Sequence, residues 1–341
     1  MFRILALAGG GLRGAFAIGV LAEIEQRLER PLSDYFDLVA GTSTGSITAS
    51  ALACGTSAGE VQAFYEKHSR RIFAPRERYR PKRAYRPVYS MLRRYLKWRS
   101  GVDPDHFFQS RYCPHALRAA IVEAFGNATL TDANRCRLAI PTVNLTDGVA
   151  YVFRTPHSAA PRPEYDWPLA DIIGASAAAP TYFPHKQMPD GKAYADGGLW
   201  AIDPGVVALA EAANIIDHDS ACRGHVERLD DVHMLSIGTG QAEYTLAPPG
   251  GDAGSLFWAR HVAEVMSVSQ MQGTQLPLQM VLGDRYRIVD FALEDPNWTL
   301  DNLEVTDQLF QLGRDRGSEL FGELEGVFFQ EVTVPYCGAR Q

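Results

Sequence analysis

The chain has 341 residues, 46% of them hydrophobic and 21% charged, which is typical of a globular protein with a substantial core. Its net charge of −7 conceals an asymmetry, because residues 67–99 hold 13 Lys or Arg and one acidic residue. No stretch approaches the ~20 apolar residues of a membrane span, and the first apolar run is too short for a secretory signal. The five cysteines are odd in number and widely spaced, which predicts reduced thiols in a cytosolic protein.

The predicted elements alternate between strands and helices. The apolar run 2–8 predicts a strand buried on both faces, and 15–28 carries apolar residues at helical spacing. A second strand is predicted at 35–40, before a small-residue helix at 46–53. Further strands are predicted at 138–145, 149–154, 232–237 and 286–293, and further helices at 114–125, 170–178, 206–214 and 306–324. This alternation predicts an α/β fold around a mostly parallel sheet, with a surface loop at 247–254.

The first candidate site is the loop Gly9-Gly10-Gly11-Leu12-Arg13-Gly14, between the first strand and the first helix. Glycines let the backbone turn sharply and bring N–H groups close to a ligand, and the helix adds its positive N-terminal end. Such a loop can stabilise a phosphate or a reaction oxyanion. A tight turn without a ligand is the alternative.

The second candidate site is Gly41-Thr42-Ser43-Thr44-Gly45, again between a strand and a helix. A Gly-x-Ser-x-Gly turn exposes its serine on a sharp bend above the sheet, where flanking glycines avoid neighbouring chain. The pattern predicts that Ser43 is a nucleophile. The alternative is a serine that only caps the helix.

The third candidate site is Asp196-Gly197-Gly198, which alone would indicate a β-turn. A serine nucleophile needs a base and an oxyanion hole. Asp196 can supply the base, and the amides of Gly10 and Gly11 the hole.

In this order, the three sites resemble the patatin-like phospholipase family. The family pattern is a glycine loop ending in Arg-Gly, a Gly-x-Ser-x-Gly elbow and then Asp-Gly-Gly or Asp-Gly-Ala. The resemblance extends through 175–184, 199–204, 235–240 and 299–313, and so spans roughly residues 2–320. One departure is Ala8, which stands where the family loop commonly begins with an acidic residue.

The resemblance implies a three-layer α/β/α fold and a lipid acyl hydrolase of the phospholipase A type, without metal or cofactor. Asp196 would accept the Ser43 proton as the serine attacks an ester carbonyl, and no catalytic histidine would be needed. The oxyanion hole would comprise Gly9, Gly10 and Gly11. The motifs would be supported by Arg13, Gly14, Gly41, Gly45, Gly197 and Gly198. A Ser-His-Asp triad remains the alternative.

The basic block 67–99 interleaves Lys and Arg with aromatic residues. It is compatible with a solvated surface segment, with docking to an anionic membrane, or with a pocket for an anionic ligand such as a nucleotide. Some bacterial members that resemble this chain are anti-phage effectors switched on by cyclic oligonucleotides. The domain expectation is a single catalytic domain over 1–341 with a basic, family-divergent insertion or cap at about 67–135.

The expected partners are a phospholipid substrate at a membrane surface and, in the effector subtype, a cyclic oligonucleotide activator. DNA and RNA are not expected, and an oligomer remains open. The expected location is the cytoplasm, with action at the periphery of the inner membrane.

Two other function classes are compatible with parts of the sequence. Gly9-x-Gly11-x-x-Gly14, with Asp34 and Asp37 about 20 residues further on, matches a dinucleotide-binding oxidoreductase. That fingerprint, however, requires its acid at the end of the second strand, and Asp37 lies at the start. The other class is a catalytically inactive binding protein on the same fold.

Overall fold

The computed structural model describes residues 1–77, 79, 82–100, 105, 108–157, 162–218, 228–241, 246, 252–295, 297–334 and 336. Most of the loop predicted at 247–254 lies outside these residues, and its last part, 252–254, has no regular secondary structure. The strands are β1 Phe2–Leu7, β2 Leu38–Gly41, β3 Arg137–Asn144, β4 Val149–Arg154, β5 Lys186–Gln187, β6 Ala193–Asp196, β7 Val232–Ile237 and β8 Tyr286–Val289. The helices are α1 Gly14–Leu28, α2 Thr44–Ala53, α3 Ala58–Ile72, α4 Arg86–Ser100, α5 Pro114–Phe125, α6 Leu169–Ser176, α7 Gly205–His218, α8 Ser255–Leu282 and α9 Thr306–Phe328.

The strands form one mixed sheet in the order β5-β6-β3-β2-β1-β7-β8, with β4 paired to β3. The five neighbouring strands β3, β2, β1, β7 and β8 are parallel to one another. β4 and β6 each pair antiparallel with β3, and β5 pairs antiparallel with β6. Because the carboxyl ends of parallel strands share one edge, the loops that follow β1 and β2 meet there. This edge is where open α/β sheets bind ligands.

Both faces of the sheet are covered, as the first strand shows. Leu5 and Leu7 of β1 pack into a core with α1, α2, α3, α5, α6 and α9. Phe2, Ile4 and Ala6 face the other way, into a core with α7 and α8. The predicted α/β/α architecture with a mostly parallel sheet is therefore confirmed.

The last strand is shorter than predicted. β8 ends at Val289, and the Asp290 carboxylate accepts hydrogen bonds from the amides of Gly240 (2.8 Å) and Phe291 (2.9 Å). The Asp290 side chain thus accepts the amide hydrogen bonds that a longer strand would give to main-chain carbonyls. Beyond it, the pairing continues only as a single bridge between Gln241 and Ala292.

Three helices were not predicted from the sequence: α3, α4 and α8. α3 begins with a capping box in which Ser57 and Glu60 bond each other's backbone amides. In the described part of the chain, no helix is long and apolar enough to cross a membrane.

Candidate active site

Ser43 lies on a sharp turn between β2 and α2, with φ of 55° and ψ of −122°. Left-handed φ is costly for a residue with a side chain, so the surroundings must enforce it. A Cβ on Gly41 would lie 2.2 Å from the carbonyl oxygen of Gly45, and one on Gly45 would lie 2.3 Å from that of Leu7. Gly41 therefore lets the end of β2 lie against the first turn of α2, and Gly45 lets that turn pack against β1. The Ser43 amide donates to Ser176 Oγ at 3.1 Å, which fixes the elbow from its other side.

Asp196 ends β6 and points at Ser43. The Ser43 hydroxyl donates to Asp196 Oδ2 at 2.6 Å, and the Gly198 amide donates to Oδ1 at 2.6 Å. The Asp196 side chain is buried, and this burial raises its pKa to about 6, against the two hydrogen bonds that lower it. The carboxylate is thus a stronger base than a free aspartate and is still mostly ionised at neutral pH.

The amides of the glycine loop differ in how they are used. The Gly9 amide donates to the Ile202 carbonyl at 2.9 Å, and the Gly10 amide donates to Thr44 Oγ1 at 3.3 Å. No hydrogen bond engages the Gly11 amide within the described residues. The Gly11 amide therefore has no partner among the described residues, and the Gly10 amide is held only by a long bond to a side chain, whereas the Gly9 amide is bonded to a main-chain carbonyl.

The glycine loop is held from the side of residues 290–300. Gly11 has φ of 58°, and a Cβ there would lie 2.3 Å from the Leu300 carbonyl, which accepts the Leu12 amide at 2.8 Å. Arg13 is largely buried. Desolvation lowers its pKa, and the charge of Asp290 opposes that effect. The contacts of Gly11 and Leu12 with Leu300 therefore fix the loop, and the supporting role expected of Arg13 stays a prediction.

A cavity of about 480 Å³ opens beside the Ser43 hydroxyl and the glycine loop. Its walls are mostly apolar and come largely from α2, α3, α5 and α8. Among the lining residues are Ile47, Phe64, Ile72, Leu117, Val262 and Met266, together with Phe73 just after α3. Its size lies within the usual range for small-molecule sites. A serine that lines an apolar cavity is suited to an ester with a long hydrocarbon chain.

The match to known proteins agrees with this geometry. The family model for patatin-like phospholipases matches residues 5–204. A cGAMP-activated phospholipase of Vibrio cholerae is 36% identical over 284 residues, which cover 80% of this chain and 74% of that protein. The chain belongs to the patatin-like phospholipase family. The resemblance drawn from the three motifs is thereby confirmed, and so is the enzyme class, a hydrolase of lipid esters.

Two further relatives extend the match beyond the region of the family model. A cGAMP-activated phospholipase of Pseudomonas aeruginosa is 30% identical over 292 residues, covering 85% of this chain and 78% of that protein. A cUMP-AMP-activated phospholipase of Escherichia coli is 25% identical over 342 residues, covering 95% and 91%.

Asp34 and Asp37, the two acids of the oxidoreductase alternative, have other partners in the structure. Asp37 lies before β2 and accepts the Arg3 amide at 2.8 Å, and Asp34 pairs with Arg135 at 3.2 Å. Neither carboxylate lies at the end of the second strand, where a dinucleotide-binding fold needs its acid. The family match therefore replaces that interpretation.

Some residues around the site were not singled out from the sequence. The helix α8 contributes Val262, Met266 and Gln270 to the cavity, and Gln270 Nε2 donates to the Leu199 carbonyl at 2.9 Å. The sequence gives little signal for this helix, because Pro277 interrupts it and most of its side chains are exposed. Ser176, which holds the elbow, lies inside the 175–184 match and could have been found there.

No histidine among the described residues is hydrogen-bonded to Ser43 or Asp196. The same part of the chain contains no group of three His, Cys, Asp or Glu side chains that could hold a metal.

Proposed function

We propose that this patatin-like protein releases fatty acids from membrane phospholipids through a Ser43–Asp196 dyad. The observation that carries the proposal is the 2.6 Å hydrogen bond from the elbow serine to a buried carboxylate, both of which line an apolar cavity. The nucleophile and its base are already within the distance that proton transfer requires.

The proposed reaction has two halves. Ser43 Oγ attacks the ester carbonyl while Asp196 takes its proton, and the amides of Gly10 and Gly11 stabilise the oxyanion. The tetrahedral intermediate collapses to an acyl-serine, and Asp196 returns the proton to the leaving lysophospholipid alcohol. Water then attacks the acyl-serine with Asp196 as base, which frees the fatty acid and restores the Ser43 hydroxyl. Gly9 belongs to the same loop, and its paired amide positions the two donors.

We further propose that a cyclic dinucleotide activates the enzyme at the cytoplasmic face of the inner membrane, in anti-phage defence. The support is that relatives covering 80% to 95% of this chain are named for activation by cGAMP or cUMP-AMP. The match extends beyond residue 204, so it includes more than the region of the family model.

Fatty-acid release from vesicles of bacterial phospholipids tests the proposal, with cGAMP, cUMP-AMP, another cyclic oligonucleotide or no ligand. We expect release that depends on one ligand and is absent in Ser43→Ala. Equal release without ligand would contradict activation but leave the hydrolase intact. No release from any lipid, under conditions where cyclic dinucleotide binds, would instead support an inactive binding protein.

A further inference from the structure

The helix α4 presents an apolar stripe to solvent. Val88, Met91, Leu92 and Tyr95 follow the i, i+3, i+4, i+7 spacing of a single helix face, and Trp98 extends it by one turn. Met91 is 75% exposed and Trp98 is 80% exposed, and the other three are also exposed. Contiguous large apolar side chains on a surface indicate a binding face.

The other side of α4 is anchored, so the orientation of this stripe is fixed. Tyr89 and Arg93 both contact the buried carboxylate of Asp105, Arg93 through Nε at 3.3 Å. The Tyr89 ring packs edge-on against Phe108 at 5.7 Å, and Phe108 stacks on Tyr79 at 5.3 Å. The apolar stripe therefore points away from the body of the protein.

The charge around α4 selects the chemistry of its partner. The helix sequence 86–100 contains five Lys or Arg and no acidic residue. Arg94 on the helix and Lys82 and Arg83 just before it are exposed. Basic residues close to a bilayer are attracted to anionic headgroups, and Trp and Tyr favour the interface. An amphipathic helix with exposed basic residues and an exposed Trp is typical of one that lies in a membrane surface.

The chain that follows Asp105 and Phe108, the two residues that anchor α4, also contacts the wall of the cavity. Beyond Phe108, the amides of Arg111 and Tyr112 donate to the carbonyls of Thr181 and Tyr182, each at 2.8 Å. Thr181 and Tyr182 line the cavity. Two further exposed apolar residues, Val262 and Met266 of α8, also line the cavity and reach the surface.

We propose that α4 is an interfacial helix that inserts Met91, Tyr95 and Trp98 into an anionic bilayer and brings the lipid to the cavity. Only the delivery of lipid to the cavity rests on the proposed function, since docking itself requires no hydrolysis.

Cosedimentation with vesicles tests this proposal in the Ser43→Ala background, so that hydrolysis cannot destroy the vesicles. The vesicles are phosphatidylcholine alone or an equal mixture with phosphatidylglycerol. The apolar test variant is Met91→Ser with Trp98→Ser. Its matched control is Leu276→Ser with Met280→Ser, which removes two exposed apolar residues from α8.

The charge test variant is Lys82→Glu with Arg94→Glu, matched by Arg30→Glu with Arg228→Glu at two exposed sites elsewhere. We expect the charge variant to bind the anionic vesicles about 30-fold more weakly. The apolar variant should lose at least as much binding, because it removes two large apolar side chains, and both controls should bind like the parent. Thermal unfolding of each variant verifies that the fold is retained.

Binding of folded α4 variants equal to that of the parent would overturn the proposal. Two other results, each with vesicle binding retained, would also overturn it. One is a change in oligomeric state, as measured by light scattering, and the other is a loss of cyclic dinucleotide binding. The first change would assign the stripe to a second copy, and the second would assign it to a nucleotide. Failure of the hydrolase proposal would leave these binding results unchanged.

Discussion

Asp196 combines burial with two hydrogen bonds, and the two influences act on its pKa in opposite directions. Desolvation is the larger and raises the pKa to about 6. The raised value matters for a base, because proton transfer is most efficient when the pKa of the base lies near the working pH.

As the proposed base, Asp196 predicts how the reaction rate depends on pH. Asp196 accepts a proton only when ionised, so the rate on a soluble short-chain ester should rise through about pH 6 and then level off. The measurement is kcat/KM against pH with saturating activator. A rate independent of pH between about 4.5 and 8 would show that no group with this pKa acts as the base.

The ionised Asp196 carboxylate should lower the free energy of unfolding. Folding raises the pKa of this carboxyl from about 3.9 to about 6. The resulting loss of stability is therefore absent below about pH 3.9, grows as the pH rises, and reaches its full size above about pH 6. We expect Asp196→Asn to increase the free energy of unfolding by about 1–3 kcal/mol at pH 8 and to lose that gain near pH 4. Urea unfolding at both pH values measures the difference. A loss of stability at pH 8 would show that the ionised carboxylate is a net stabilising group.

At the scale of elements, the elbow depends on backbone contact between β1, β2 and α2. Gly45→Ala would place a Cβ 2.3 Å from the Leu7 carbonyl oxygen. Because Leu7 belongs to the buried strand β1, its main chain cannot move aside without disturbing the sheet. We expect a loss of about 2–4 kcal/mol in stability. Gly59→Ala in α3 is the control, because nothing lies within 4 Å of its Cβ, and it should be neutral or stabilising. Equal effects of the two substitutions, measured by urea unfolding, would mean that the elbow is not tightly packed.

The cavity wall from α5 offers a test of acyl-chain binding. Leu117→Trp fills part of the cavity, at a cost of about 1–3 kcal/mol from overpacking. We expect a selective loss of activity on long-chain esters, with short-chain esters cleaved at nearly the parental rate. Competition between esters of different chain length measures this preference. An unchanged preference in the folded variant would place the acyl chain elsewhere.

Elements with a strong local pattern were predictable from the sequence, and the others were not. β1 was found because nearly all its residues are apolar, as a strand buried on both faces requires. α8 was missed because its exposed surface and internal Pro277 give no clear periodicity. α3 could have been found from its Ser57–Glu60 capping box, a short-range signal that composition alone does not reveal.

For the whole molecule, the uneven charge is the feature with a measurable consequence. The basic block carries +12 (13 minus 1), and the net −7 leaves −19 for the rest of the chain. Association with anionic vesicles should therefore weaken steeply with salt, as the screening length falls from about 10 Å at 0.1 M to about 3 Å at 1 M. Vesicle binding at the two salt concentrations measures this effect. Salt-independent binding would indicate purely apolar attachment.

The assembly of the site required the structure. The three motifs could be read from the sequence, and parallel strands imply that the loops after β1 and β2 meet. Asp196 comes from β6, an antiparallel strand 153 positions beyond Ser43, so only the fold establishes their 2.6 Å hydrogen bond. The pairing of the Gly9 amide with Ile202 also depends on a distant loop, and the sequence could not distinguish Gly9 from Gly10 and Gly11.

The most direct test of the dyad compares fatty-acid release by the parent, Ser43→Ala and Asp196→Asn under identical activating conditions. We expect each variant to lose activity by a factor of about 1,000 or more, because each removes one of two groups that act together. Cyclic dinucleotide binding and thermal unfolding confirm that both variants are folded. Near-parental release by Asp196→Asn would contradict the dyad, since Ser43 would then have another base.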